Sequence, residues 1–388
     1  MTSVSTRAAM SLANWRTAPH NAWTFQHVGE FVPTATIQPR TPAGRVSISA
    51  GALESIEVSG RDGRPVPLET HFRDSHADGF VALKHGATVG EWYGAHADAD
   101  LPHVVFSVSK SITAVLAGIA ADDGRLDLSA QVTAYVPEVR GSAYGDATVR
   151  DLLDMVVSID FDEAYLDAGG AFDRYRRAML WNPARPGEPE ENMVGFLSTL
   201  GKAGHPHGQR FHYVSPNTDM LGLVVERAAG VRFPDYLAER LWGPMGATGS
   251  AYVTIDRAGS SRAAGGICIT VADLARLGQL ILDGGRTAAG TQVIPTAWID
   301  DMRSNGDRQA WVDGDFFYMF PEGRYRSCWY DVGDGRGSFC AIGIHGQWLW
   351  VDPTSRVVLA KVSSLPAPSD DPTALHEIKV LAEIARTL

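Results

Sequence analysis

Cysteine is scarce in this 388-residue sequence: the three present, Cys268, Cys328 and Cys340, give no disulfide framework. A sparse, odd number suits a reducing compartment. No apolar run approaches the ~20 residues needed to span a bilayer. Residues 1–15 hold an arginine but no apolar core followed by a small-residue cleavage pattern, so no secretory signal is read there. These absences point to a cytoplasmic protein with no membrane partner. Positive charge is also short, with 34 Lys and Arg against 45 Asp and Glu, leaving −11. That balance argues against nucleic acid or anionic lipid as a partner. Neither His-Glu-x-x-His nor a G-x-x-x-x-G-K-[ST] phosphate loop occurs. His205-Pro206-His207 lacks a carboxylate at ligand spacing and reads as a surface loop. No metal and no cofactor are expected. Internal repeats are absent, and the 40 glycines are spread through turns.

What is present is enough for a substantial core, with 45% hydrophobic and 20% charged residues over a length that allows one large domain or two ordinary ones. Residues 1–60 are irregular and read as a packing arm at most. The stretch 79–94 carries two β-prone runs around His85-Gly86, a hairpin signal. An apolar helix then opens at Phe106-Ser107 and closes at Asp122-Asp123-Gly124. From about 126 to 241 the pattern is helical and loop-rich. Thr148 and Asp151 fit a capping box, and 218–229 reads as a helix ended by Gly230. The segment 158–189 shows little periodicity, which suits either a functional lid or a solvated excursion. Thr270 and Asp273 cap a helix through Leu282, 305–325 reads as a loop, and strands follow at 341–344, 348–351 and 357–362 before a helix from about 373. The expected architecture is α/β (α+β): an antiparallel sheet with flanking helices, plus a mostly helical inserted domain. The sheet domain would be discontinuous, 1–125 with 260–388, and the helical domain 126–259. A cleft at their junction would hold the site.

Ser107 and Lys110 are three residues apart, so a helix puts both side chains on one face within one turn. A serine hydroxyl needs a neighbour to take its proton, and a buried neutral lysine can do so. A helix-opening serine is also a common N-cap, and the spacing alone leaves both readings open. A third proton carrier is needed for the leaving group. Tyr213, in Phe211-His212-Tyr213-Val214-Ser215-Pro216-Asn217 at a helix mouth, is the candidate, its phenol expected to be acidified by a nearby lysine. The competing reading is a packed aromatic.

Four pieces taken in order resemble the serine β-lactamase superfamily of the class C and family VIII esterase type. They are Ser107-x-x-Lys110; Gly124-Arg125-Leu126-Asp127-Leu128 with Tyr135-Val136-Pro137; Tyr213-x-Ser215-x-Asn217; and Pro244-Met245-Gly246. The likeness extends to the 6-aminohexanoate-dimer hydrolases, which cut linear amide oligomers from nylon manufacture. It runs from Trp15-Arg16 almost to the end of the chain, and includes Gly343-Ile344-His345-Gly346-Gln347. The resemblance implies Ser107 as nucleophile, Lys110 as the group that deprotonates it and Tyr213 as proton donor to the leaving amine, with Ser215 in the same network. It implies an oxyanion hole from the backbone N–H groups of Ser107 and Ile344, the latter on an exposed strand edge. Tyr165 would close over the substrate, Asp173 would grip a substrate ammonium, and Trp329 would line the pocket.

The sequence departs from that family at three places. Ile344-His345-Gly346 replaces the Lys-Thr-Gly motif of penicillin-reactive enzymes, so β-lactam recognition is not expected. His345, in the substrate shell, reads as a structural hydrogen-bonder rather than a base. Ala264, before Gly265-Gly266, stands where an asparagine would contact substrate, and Tyr175-Arg176-Arg177-Ala178 lacks an expected tryptophan. The expectation is a serine hydrolase cleaving short linear amides, of which 6-aminohexanoate dimer is the model, through an acyl-enzyme. The alternatives are a carboxylesterase of the family VIII type, an acyltransferase using the same machinery, or a non-catalytic sensor. The partner is a small-molecule amide or ester, with a homodimer as the most elaborate assembly entertained.

Overall fold

A computed structural model describes residues 7–37, 53–167 and 169–388. The N-terminal readings over 1–6 and 38–52 lie outside the described residues, as does Ala168 of the 158–189 segment. Both ends of the chain build one seven-stranded sheet. Its order is Ala87–Tyr93, Ala77–Lys84, Val357–Ser363, Gln347–Asp352, Phe339–Gly343, Trp329–Asp331 and Arg324–Arg326. Every neighbouring pair is antiparallel. The expected hairpin forms at His85 and Gly86, both at positive φ, as a tight two-residue connection requires. Strand alternation gives the sheet two working faces. Leu349 packs beneath the Val271–Leu282 helix, while its neighbour Trp348 faces a cavity shared with the Asp371–Thr387 helix.

A second, four-stranded antiparallel sheet was not foreseen. Its order is Thr34–Ile37, Ala251–Thr254, Ile267–Ile269 and His103–Val104. Strands of two to four residues drawn from four distant segments leave no period-2 pattern long enough to read. This sheet matters for the site. It carries the chain into Phe106-Ser107 beside the Ala263-Ala264 segment, and the Val105 N–H donates to Ile267 O at 3.0 Å.

The helices follow their signals. Ser107 precedes the Val108–Asp122 helix, Thr148 closes a two-way capping box on Val149–Leu153, and Thr270 caps Val271–Leu282. The helix expected at 218–229 begins earlier, spanning Ser215–Ala229, with Pro216 in its first turn and Gly230 closing it. Two segments read as loops contain helices, Ala171–Ala178 and Arg308–Val312. The first is short and arginine-rich; it is held by a buried Phe172, Tyr175 and Ala178 at spacing three. The described part of the N-terminal arm is firmly packed. Trp15 is fully buried and meets Trp181 edge to face at 5.2 Å. Among the described residues no helix is long and apolar enough to cross a membrane.

The helix behind Ser107 is packed without slack. A Cβ on Gly118 would lie 2.4 Å from the Trp298 ring. Gly118→Ala should therefore destabilise the fold by about 1–3 kcal/mol, read as a lowered denaturation midpoint at unchanged slope. An unchanged midpoint would show that Trp298 gives way freely.

Candidate active site

The approach to Ser107 is strained. Phe106 sits at φ 41°, a left-handed conformation that a bulky residue rarely adopts. Ser107 then occupies the N-cap position of the Val108–Asp122 helix, yet its hydroxyl makes no capping hydrogen bond. It meets Lys110 instead: Nζ donates to Ser107 Oγ at 2.8 Å, to Ser215 Oγ at 2.9 Å and to the Ala264 carbonyl at 2.9 Å. The N-cap reading left open by spacing is thereby resolved.

Lys110 is 1% exposed, and all three of its acceptors are neutral. Among the described residues no carboxylate lies within ion-pair distance of it. Burial without a counter-charge disfavours the ammonium and brings its pKa down to about 8, with Arg262 pushing the same way and Glu163 opposing. Once neutral, the amine can keep two N–H donors on Ser215 and Ala264 and offer its lone pair to the Ser107 hydroxyl.

Tyr213 ends the strand-like approach to the Ser215–Ala229 helix, its ring centroid 5.0 Å from Lys110 Nζ. The expected acidification does not occur. Burial raises the phenol pKa well above its ordinary value, Glu163 adds to that, and only the Ser107 hydroxyl pulls the other way. Tyr213 thus stands as a protonated phenol suited to donating a proton. The Tyr213 N–H donates to Asp315 Oδ2 at 2.9 Å, which holds the motif in place.

Two carboxylates behind these groups escaped the sequence reading. Asp219, fully buried, accepts from the Ala264 N–H at 2.8 Å, from the Tyr175 hydroxyl and from Arg262. It fixes the peptide whose carbonyl holds Lys110. Its signal was present, since it closes the Tyr213-x-Ser215-x-Asn217-Thr218-Asp219 run. Glu163 accepts from the Ser215 N–H and from the Tyr165 hydroxyl. It stands in an aperiodic stretch with no spacing to reveal it.

Ile344 lines the cleft from the turn just after the Phe339–Gly343 strand, rather than from the strand edge itself. Neither its N–H nor the Ser107 N–H has a backbone acceptor among the described residues. Both are therefore available to a developing oxyanion. His345, at φ 62°, is tied down on three sides. Its ring Nδ1 hydrogen-bonds the Leu365 carbonyl at 2.6 Å, its N–H donates to Pro368 O at 2.8 Å, and its carbonyl accepts from the Leu365 N–H at 3.2 Å. Burial pulls its pKa down to about 4, so it stays neutral. It positions the Ile344 turn and does not line the cleft.

Two cavities meet at Ser107, and Tyr165 and Ile344 line both. The larger is mostly apolar and runs past Tyr213, Phe316, Tyr330 and Trp348 to the terminal helix. The smaller is bounded by Phe106, Ser215, Ala264 and three arginines. Ala264, fully buried, borders this cavity where a polar contact was expected to be lost. Two shell assignments need correction. Asp173 is 6% exposed and its oxygens are already occupied, by Arg177 at 3.0 Å, Arg185 at 2.8 Å and Asn182 at 2.6 Å. It lines neither cavity and has no oxygen left for an ammonium. Trp329 is 1% exposed and packs on Phe339 behind the sheet. Strand alternation gives its pocket position to Tyr330.

Comparison with known proteins follows the same lines. A beta-lactamase family model matches residues 68–383. The chain is 37% identical over 380 residues to a 6-aminohexanoate-dimer hydrolase of Paenarthrobacter ureafaciens, covering 97% of this chain and 94% of that one. A solved Bacillus anthracis structure assigned as a 6-aminohexanoate-dimer hydrolase superposes with TM-score 0.87 at 24% identity, over 98% of this chain and 97% of its own. A family VIII carboxylesterase superposes with TM-score 0.58 at 17% identity, over 82% and 95%. The two structures share the fold.

The Lys110 environment gives a signed expectation. An amine acts as a base only when neutral, so an acylation step that uses Lys110 should fall about tenfold per pH unit below about pH 8 and level off above it. The same shift acts on stability. The unfolded chain holds this proton up to about 10.5 and the folded chain only to about 8, so Lys110 adds stability as pH rises through that window. Lys110→Met should abolish both dependences. A wild-type rate flat from pH 6 to 9 would remove Lys110 from the role.

Proposed function

The chain belongs to the beta-lactamase family, and from that premise we propose that it hydrolyses short linear amides through an acyl-enzyme on Ser107. The observation that carries the reading is the Lys110 amine, buried among neutral acceptors 2.8 Å from the Ser107 hydroxyl. Neutral Lys110 takes the hydroxyl proton as Oγ attacks the amide carbon. The oxyanion settles against the Ser107 and Ile344 N–H groups, where one such donor is typically worth ~3 kcal/mol. Tyr213 gives its phenolic proton to the departing nitrogen and recovers the proton taken up by Lys110, so the amine leaves neutral. Water then attacks the ester carbon, losing a proton to the same pair, which returns it to Ser107 Oγ as the acid leaves. No cofactor enters any step.

The amide reading follows the relative named a 6-aminohexanoate-dimer hydrolase. We read the protein as two units, 1–125 with 260–388 and 126–259, with the cleft between them. Ser107 and Ile344 come from the first, Tyr165, Tyr213 and Ser215 from the second. The buried free thiols Cys268, Cys328 and Cys340 support a cytoplasmic location. One observation favours a second reading, a carboxylesterase. Ala264, bordering the cavity, offers an amide no side-chain hydrogen bond, which an ester does not need.

Two variants separate these readings. Ser107→Ala should fold and lose at least 1,000-fold in turnover of a hexanoyl p-nitroanilide; retained turnover would sink the assignment. Tyr213→Phe should lower kcat/KM for that anilide at least tenfold more than for p-nitrophenyl hexanoate, because a phenolate leaves without protonation. Equal losses on both would deny Tyr213 the leaving-group role.

A further inference from the structure

The small cavity beside Ser107 is cationic. Of its three arginines, Arg262 is paired with buried Asp219, but Arg16 and Arg176 have no carboxylate within ion-pair distance among the described residues. Arg16 donates from Nη2 to the Trp181 carbonyl at 3.4 Å and to Asn182 Oδ1, while its Nη1 is buried without any partner. Arg176 donates from Nη1 to the Tyr165 carbonyl at 2.9 Å and lies 4.3 Å from the Phe172 ring centroid. The nearby carboxylates do not relieve these charges. Both Glu163 oxygens are held by the Ser215 N–H and the Tyr165 hydroxyl, and Asp173 is held by Arg177, Arg185 and Asn182. Arginine does not give up its proton in this situation. Burial, and then mutual repulsion with Arg176 and Arg262, hold the Arg16 guanidinium below its ordinary pKa. An orphaned buried donor and uncompensated like charge are both relieved by one incoming anion.

Which half of the substrate enters this cavity follows from Tyr213. Its ring lines only the large cavity, whereas Ser107 and Ile344 line both. The leaving nitrogen must face Tyr213, so the leaving group occupies the large apolar cavity and the acyl chain the small one. We propose that the acyl chain ends in a carboxylate held by Arg16 and Arg176, which makes the preferred substrates monoamides or monoesters of short dicarboxylic acids. The proposal rests on the serine-hydrolase reading above and specifies its substrate. It sets this chain apart from an enzyme for an acyl half that ends in an ammonium. Such a group would meet two guanidinium ions and no free carboxylate. This cavity is the smaller of the two, which favours a short acyl chain.

Three p-nitroanilides of equal acyl backbone test this: adipoyl, with a terminal carboxylate; hexanoyl, neutral; and 6-aminohexanoyl, with a terminal ammonium. Wild-type kcat/KM should fall in that order, with at least tenfold between first and last, and added salt should compress the spread. In Arg16→Gln and Arg176→Gln the adipoyl-to-hexanoyl ratio should drop at least fivefold, chiefly through KM for the adipoyl substrate. Equal rates on all three, or preference for the ammonium, would overturn the proposal even if the variants fail to fold, because the wild-type series stands alone. Ser107-dependent hexanoyl cleavage keeps the hydrolase reading intact in that event. Its loss would strike the hydrolase reading itself.

Discussion

A buried lysine with no counter-ion is the constraint around which this protein is arranged. Lys110 has three N–H donors and satisfies them with oxygens from three separate parts of the chain: its own helix, the first residue of the Ser215–Ala229 helix, and the peptide carbonyl of Ala264. Each must arrive to within hydrogen-bond distance, because a buried donor left unsatisfied costs about 1–3 kcal/mol, and more when charged. A carboxylate partner would have made the burial easier and the lysine useless as a base, since an adjacent anion stabilises the ammonium. Burial with no anion in contact is what brings its pKa toward the working range.

The second requirement is that the Ala264 carbonyl not drift. Asp219 meets it by drawing the Ala264 N–H, the Arg262 guanidinium and the Tyr175 hydroxyl onto one buried carboxylate. Tyr175 belongs to the Ala171–Ala178 helix, the same helix that presents Arg176 to the small cavity. The helix that shapes the substrate pocket and the peptide that holds the base are therefore anchored to one atom group. The closed hydrogen-bond set gives the site a fixed geometry, which a buried charge pair alone does not guarantee.

How much of this was legible depended on whether a signal was local. Ser107 with Lys110, the Thr148 and Thr270 caps and the hairpin at His85 are set by periodicity and turn chemistry within a few residues. Tyr213 and Ser215 were identified by their motif, though the phenol's protonation was misjudged because burial outweighed the neighbouring lysine. The four-stranded sheet, Glu163 and the seating of Arg16 were illegible, since each depends on segments not adjacent in sequence: Glu163 reaches Ser215 across 52 residues and Arg16 reaches Trp181 across 165. The error over Asp173 has a local lesson. Arg177 stands four residues on, at helical spacing for an ion pair, so the sequence already offered this carboxylate a partner. Trp329 was chosen over Tyr330 without the strand register that decides between them.

The charges around Ser107 also act on each other. Burial lowers the Lys110 pKa most, with Glu163 and Asp219 opposing it and Arg262 adding to it, so the amine is poised by its surroundings rather than by a charge that touches it. The two unpaired arginines of the small cavity extend the positive side of that balance. In the free protein they disfavour a further positive charge in the small cavity and repel a cationic acyl chain. A bound carboxylate would neutralise part of that field and let the Lys110 pKa rise, but with its charge held against Arg16 and Arg176 its effect on the amine is reduced. Two guanidinium groups can thus accept an anionic substrate without returning a proton to the amine proposed to deprotonate Ser107. A single neutral hydrogen-bond donor in their place would bind the carboxylate and leave its full charge acting on Lys110.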